Sequence, residues 1–270
     1  MRKKFTVMKQ LEALLKPILS KRGRQIFPEE HKLPHIILIG THHKTGTVWM
    51  GNIFRKIAYE MNLRFSVGTG EAIPIEADII LGYHSRFPLK ALPNYRGMHI
   101  IRDPRDLILS GCFYHQKSNE PWLYKPQAEF GGLTYQEKIN SFASFDDKLL
   151  FEMEYSGHFS TQEMLNWNYK NPNFFDVKYE NLIIDRELLL FHQILTFLGF
   201  PGSTIPRILG IAYNNSLFSG NISKSVHVRS GESGQWKQYF KAVHRRRFVE
   251  LFGDALIKLG YEDNNAWADN

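Results

Sequence analysis

The sequence predicts one α/β domain, and three observations carry that prediction. A short apolar, β-branched run, Ile36 to Ile39, meets a turn rich in glycine and threonine, and a helical pattern starts at Thr47. Two further runs, Ala77 to Tyr83 and Met98 to Ile101, read as buried strands. A chain of 270 residues, 43% of them hydrophobic, is long enough for a sizeable core and fits one decorated domain better than two. The expected division is a basic N-terminal helical extension, residues 1–30, and a main domain, residues 31–270.

Composition narrows the function classes. A formal charge of +7 suits an anionic ligand or surface. Cys112 is the only cysteine, which excludes an internal disulfide and a cysteine-built zinc site; no metal ligands are assigned. No apolar run approaches the roughly 20 residues of a membrane span, so a soluble protein is expected. In the N-terminus, Met8, Leu11, Leu14, Leu15, Ile18 and Leu19 recur at helical spacing among basic residues. Such a helix either packs on the domain or makes a peripheral contact with an anionic membrane. Arg245, Arg246 and Arg247 lack the aromatic interleaving of a nucleic-acid surface, so no nucleic-acid partner is expected.

The stretch His35 to Met50 reads as strand, anion-cradling loop and helix. Gly40 and Gly46 let the backbone approach an anion without a Cβ in the way. Lys44 adds a full charge, and Thr45 and Thr47 add hydroxyls. Lys44 precedes Gly46, whereas the nucleotide-triphosphatase loop places its lysine after the second glycine. The order points away from an ordinary ATPase.

His42-His43-Lys44-Thr45-Gly46-Thr47-Val48-Trp49 resembles the P-K-[ST]-G-T-[ST]-W loop of the sulfotransferases that use 3′-phosphoadenosine 5′-phosphosulfate (PAPS). In that family the loop holds the 5′-phosphosulfate, which implies cofactor contacts by His43, Lys44, Thr45, Gly46, Thr47, Val48 and Trp49. His43 stands where proline is usual and Val48 where a second hydroxyl residue is usual. The resemblance also implies a central parallel sheet with helices on both faces, of the P-loop nucleotide-kinase kind.

The remaining elements follow in order. Thr47 to Asn62 is expected to be a helix with Trp49, Ile53, Ile57 and Met61 on its core face. Leu63 to Val67 reads as a short strand, and Ala77 to Tyr83 ends at His84. Open parallel sheets bind ligands at that edge. In the resembling family the catalytic base is a histidine there, which implies His84; His42, His43 and His115 are the reserve candidates. Gly82 replaces the lysine that many members carry two residues before the histidine.

Met98 to Ile101 is the next strand, followed by Arg102-Asp103-Pro104-Arg105-Asp106. Asp103 suits a helix cap and Pro104 a first helical position. Ser110, eight residues after Arg102, falls about two turns into that helix, so the pair can frame one small anion. In the family this pair binds the 3′-phosphate. Asp103 also supports a runner-up reading, a P-loop small-molecule or nucleotide kinase with this carboxylate on magnesium.

From Phe113 to about Tyr155 the chain is aromatic and reads as irregular, a substrate wall or lid with Tyr114, His115 and the turn Asn119 to Trp122 as candidates. Ser160 to Tyr169 reads as a helix capped by Ser160, Phe174 to Lys178 as a strand, and Arg186 to Leu198 as a helix ending at Gly199. Tyr179-Glu180-Asn181-Leu182 resembles the family's Y-E-[DN]-L, whose tyrosine lies near the adenine or 3′-phosphate; Tyr179 also reads as a core phenol. Val228 to Lys237 resembles R-K-G-x-x-G-[DE]-W, which implies cofactor contacts by Arg229, Ser230 and Gly231. Ser230 removes one cation, for which Lys224 or His227 are candidate substitutes. Gln238 to Leu259 reads as one terminal helix.

These motifs stand in family order over about residues 33 to 240. The expected enzyme is a cytoplasmic PAPS-dependent sulfotransferase acting on a small-molecule, lipid or sugar hydroxyl. His84 would be its base and Lys44 its charge stabiliser, and 3′,5′-diphosphoadenosine (PAP) its product. The oligomeric state stays open.

Overall fold

The computed structural model describes residues 33–74, 76–220 and 231–269. The N-terminal extension and Lys224, His227, Arg229 and Ser230 lie outside the described residues.

Strand β1 (Ile36–Thr41) leads through the glycine turn into helix α1 (Thr47–Glu60), and β2 (Phe65–Gly68), β3 (Ile79–Tyr83) and β4 (Tyr95–Ile101) follow. Next come α2 (Pro104–His115), α3 (Tyr135–Ser141), α4 (Phe145–Glu154) and α5 (Ser156–Leu165). Strand β5 (Phe174–Lys178) precedes α6 (Tyr179–Ile184), α7 (Leu189–Phe197) and α8 (Ile205–Asn214). The chain closes with α9 (Trp236–Tyr239), α10 (Ala242–Phe252) and α11 (Ala255–Lys258). The α/β class and its central parallel sheet are as the sequence predicts. The strand order is β2-β3-β1-β4-β5, and β1 pairs in parallel with both β3 and β4.

The described residues gather in two compact units. The first draws on described residues within 33–41, 46–100 and 169–220. Its core joins Ile37, Ile39, Ile79 and Met98 of the strands to Ile53, Phe54 and Ile57 of α1 and to Ile194 of α7. As the central strand, β1 is apolar at successive positions because both of its faces are covered. On α1, Ile53 and Ile57 are fully buried, as is Met61 just after its last residue, and Trp49 packs against the same core.

The second unit comprises residues 42–45, 101–168 and 231–269 of the described chain. Ile108 and Cys112 of α2, Leu149 and Met153 of α4 and Phe248 of α10 lie in its core. Much of the aromatic stretch is packed here: Phe151 lies against Tyr135, Phe142 and Tyr155 at centroid distances of 4.9, 5.5 and 4.7 Å.

Several boundaries differ from the sequence reading. The stretch read as irregular contains α3 and α4, whose starts are locally encoded. Thr134 forms a reciprocal capping box with Glu137, and Ser144 accepts from the Asp147 amide. Ser160 is not a cap but a buried residue inside α5, which begins at Ser156. Gly157 permits that earlier start, since a Cβ there would lie 2.6 Å from Ile108. Helix α7 begins at Leu189 rather than Arg186, because Leu188 is left-handed (φ 55°) and the Asp185 carboxylate accepts the Phe191 amide at 2.9 Å. The terminal helix is broken in two places. Phe240 turns to extended backbone, and Gly253 takes φ 52°.

Candidate functional site

In the first unit, the carboxyl ends of β1 and β3 are in register: Gly40 is level with Gly82 and Thr41 with Tyr83. His84 therefore follows directly on the residue beside the end of β1. The chain reverses there through two left-handed residues, His84 (φ 58°) and Ser85 (φ 55°), and the Ser85 amide donates to the Thr41 carbonyl at 3.0 Å. Left-handed backbone at non-glycine residues costs roughly 1–2 kcal/mol each and persists only where its surroundings impose it. Gly40 is part of that imposition, because a Cβ would stand 2.9 Å from the Ser85 hydroxyl.

Gly46, at φ 104°, occupies the cap position of α1. It brings no side chain to the first-turn amides, and that turn holds no acidic residue. The positive end of a 14-residue helix is thus left open to an anion. Val48 is exposed, while Thr47 and Trp49 are half-buried. The Thr47 hydroxyl donates to Thr41 Oγ1 at 2.9 Å, bracing the helix start against the strand end. Tyr179, first residue of α6, closes the cradle from another side. Its ring lies edge-on to Trp49 at 6.1 Å and within 3.4 Å of where a Gly46 Cβ would be.

Gly82 has a packing reason to be glycine. A Cβ there would sit 2.4 Å from the Phe87 ring, itself packed on Phe174 at 5.9 Å. A lysine at this position is incompatible with that packing.

In the second unit, residues 42–45 form a tight turn. The Thr45 hydroxyl donates to the His42 carbonyl at 2.9 Å and accepts the His42 amide at 2.8 Å. The sequence reading gave this hydroxyl to an anion, but it is engaged in shaping the loop. Lys44 is left-handed (φ 64°), its carbonyl accepts from Arg102 Nη1 at 2.9 Å, and its Nζ lies 3.6 Å from the Tyr114 ring centroid. Burial, helped by the Arg102 cation, lowers the Lys44 pKa to about 8 against the pull of Glu120 and Glu152. Arg102 and Ser110 are half-buried, and Ser110 lies on α2 as its spacing predicts.

Asp103 caps α2 by accepting the Arg105 amide at 2.9 Å. Its carboxylate is also held by the buried Arg105 guanidinium, 2.7 Å away at Nη2. Arg105 Nη1 donates to Glu262 at 2.6 Å, and the guanidinium lies 3.7 Å above Trp236. A carboxylate so tightly held by a cation is poorly placed to hold magnesium.

Three features escaped the sequence reading. Asp106 accepts the amides of Gly234 and Trp236, the latter at 2.9 Å, and so ties the last motif to the start of α2. Burial raises its pKa despite those bonds. Gly231 and Gly234 take φ 69° and 76° on that tether. Arg105 joins α2 to the chain's end through Glu262, 157 residues away. The third is a buried chain: His43 Nε2 meets His115 Nε2 at 2.8 Å, and His115 Nδ1 meets Glu152 at 2.7 Å. His115 was a candidate, but nothing local marks Glu152 as its partner.

Comparison with known proteins agrees with this architecture. Sulfotransferase 2A1 of Homo sapiens is 23% identical over 263 residues, covering 84% of this chain and 86% of the relative. The crystal structure of mouse sulfotransferase SULT7A1 complexed with PAP superposes with a TM-score of 0.50 at 17% identity. It covers 82% of this chain and 84% of the other, and supports the fold. Among the described residues no helix is long and apolar enough to cross a membrane. The sulfotransferase domain matches residues 81–260, more than half of the sequence, and the chain therefore belongs to the sulfotransferase family and is a sulfotransferase enzyme.

Proposed function

We propose that the enzyme takes its sulfuryl group from PAPS and passes it to an acceptor hydroxyl, releasing PAP, with His84 as general base. The observation that carries this reading is the register of β1 and β3, which puts His84 directly after the residue level with Thr41, where the anion loop begins. The residues present suit an anionic donor. The glycine-capped start of α1 offers its first-turn amides, and the buried Trp49 indole nitrogen has no hydrogen-bond partner among the described residues.

PAPS supplies the activated sulfur. As the acceptor oxygen bonds to sulfur, the sulfur–oxygen bond to the 5′-phosphate breaks and the acceptor proton passes to His84. Lys44 and the amides at Thr45 to Thr47 stabilise charge on the departing phosphate oxygen. Arg102 and Ser110 are assigned to the 3′-phosphate and Tyr179 to the adenine side. Arg229, Ser230 and Gly231 are assigned to cofactor binding. A small-molecule, lipid or sugar alcohol is the proposed acceptor class. The kinase alternative loses its metal ligand, because Asp103 is engaged by Arg105.

Removing a positioned base typically costs about 10²- to 10⁴-fold in rate. His84→Ala is therefore expected to lose turnover while binding PAP as before. Near-normal turnover would overturn the base assignment. Calorimetric titration with PAP beside ADP tests the donor. Selective PAP binding, lost in Lys44→Ala and Arg102→Ala, is expected, and tighter binding of ADP would overturn it.

A further inference from the structure

We propose that His43, His115 and Glu120 form a binding site for a divalent transition metal of the zinc class. One ligating atom from each lies within 4.8 Å of the others, all in the second unit. Two imidazole nitrogens and one carboxylate oxygen, with a fourth position left over, make the His₂Glu donor set of open zinc sites. Imidazole donors favour zinc, cobalt and nickel over magnesium or calcium.

The outer contacts have the form that holds histidine ligands to metals. His115 is fully buried, and its Nδ1 faces Glu152 Oε2 at 2.7 Å; the same oxygen accepts the Tyr135 hydroxyl at 2.9 Å. The Nδ1 proton therefore goes to the carboxylate, and Nε2 is left as a lone pair aimed at His43. Glu120 is oriented from the other side, its oxygens accepting from the Tyr114 hydroxyl at 3.1 Å and the Trp122 indole at 2.6 Å. Each carboxylate oxygen retains a further lone pair.

The two imidazoles meet head to head. Their planes differ by 11°, their centroids are 4.9 Å apart and their Nε2 atoms 2.8 Å apart. Two such nitrogens at this distance must share a proton, and a metal ion takes that proton's place. With metal–nitrogen bonds of about 2.0–2.1 Å and a tetrahedral angle, the nitrogens would stand roughly 3.3 Å apart. The two nitrogens would part by about half an ångström, and the Glu120 carboxylate would close in on them, the three ligating atoms now standing within 4.8 Å of one another. Lys44 is the opposing charge nearby, and the carboxylates of Glu120 and Glu152 match the two charges of the metal.

The test is titration of the untagged full-length chain with Zn²⁺ by calorimetry and with Co²⁺ by visible absorption, which reports tetrahedral coordination. One metal per chain and a tetrahedral cobalt spectrum are expected. Both should be lost in His43→Gln and in Glu120→Gln, and Glu152→Gln should weaken binding about 10- to 100-fold. Thermal melting of His43→Gln separates loss of ligand from loss of fold. Absence of saturable binding by the parent chain overturns the proposal. So does an undiminished cobalt spectrum in His43→Gln, which would assign the metal to other histidines.

Discussion

The lowered pKa of Lys44 makes a quantitative prediction about cofactor binding. Burial removes the ammonium from water and the Arg102 guanidinium repels it, and together they bring the group from an ordinary 10.5 to about 8. The cation is present below that value and lost as pH rises through it. If bound PAP holds Lys44 protonated throughout, the binding constant follows the protonated fraction of the free enzyme. That fraction falls from about nine tenths at pH ~7 to about one tenth at pH ~9, a tenfold weakening worth about 1.4 kcal/mol. The phosphates of PAP, with second pKa values near 6, contribute little to this slope. Tyr114, beneath the ammonium, has its own pKa raised by burial and stays neutral over the same interval. Calorimetric titration at three pH values, in buffers of differing ionisation enthalpy, measures both the slope and the proton uptake. Lys44→Arg keeps its charge and should show no slope here. A flat parent profile, or the same slope in Lys44→Arg, would refute the reasoning.

Other expectations rest on packing. Arg105→Met leaves Asp103 and Glu262 without their buried cation and should cost ~3–5 kcal/mol in urea unfolding; a loss under about 1 kcal/mol would show that the pair is compensated. Gly82→Ala drives a Cβ into the Phe87 ring and should cost about 1–3 kcal/mol, part of which Phe87→Leu in the same chain restores. A double variant no more stable than the single would remove Phe87 as the cause. Cys112 is fully buried, and its thiol pKa is raised by desolvation, so a thiol reagent should label the chain only after denaturation. Rapid labelling of the native chain would contradict that burial.

The parts of the molecule that were legible beforehand are those whose causes lie within one turn or strand. The β-branched run of β1, the start of α1 at Thr47 and its core face each depend on near neighbours, and all three occur where their residues predict them. Asp103 as the cap and Pro104 as the first residue of α2 belong to the same class. The starts of α3 and α4 were equally local, since Thr134 with Glu137 and Ser144 with Asp147 are capping pairs. They lie within an aromatic stretch whose composition reads as a substrate wall. The expected N-terminal helix and the cations at Lys224 and Arg229 fall outside the described residues.

The side-chain partnerships needed the folded chain. Thr45 and Thr47 are both hydroxyl residues of one loop, yet the first closes its turn on His42 and the second braces Thr41, a difference made by backbone direction. Glu152 looks in sequence like any helix-surface glutamate, but it is buried beside a histidine 37 residues away, itself bonded to another 72 residues away. By itself, then, the amino-acid order determined the α/β class, the strand–loop–helix and the order of the motifs that resemble the sulfotransferase family's, because short-range sterics, capping and periodicity act between near neighbours. Tertiary structure alone decided which polar groups face one another and which charges are buried together. Those energies depend on distance and on exclusion from water, and both exist only once the chain has closed on itself.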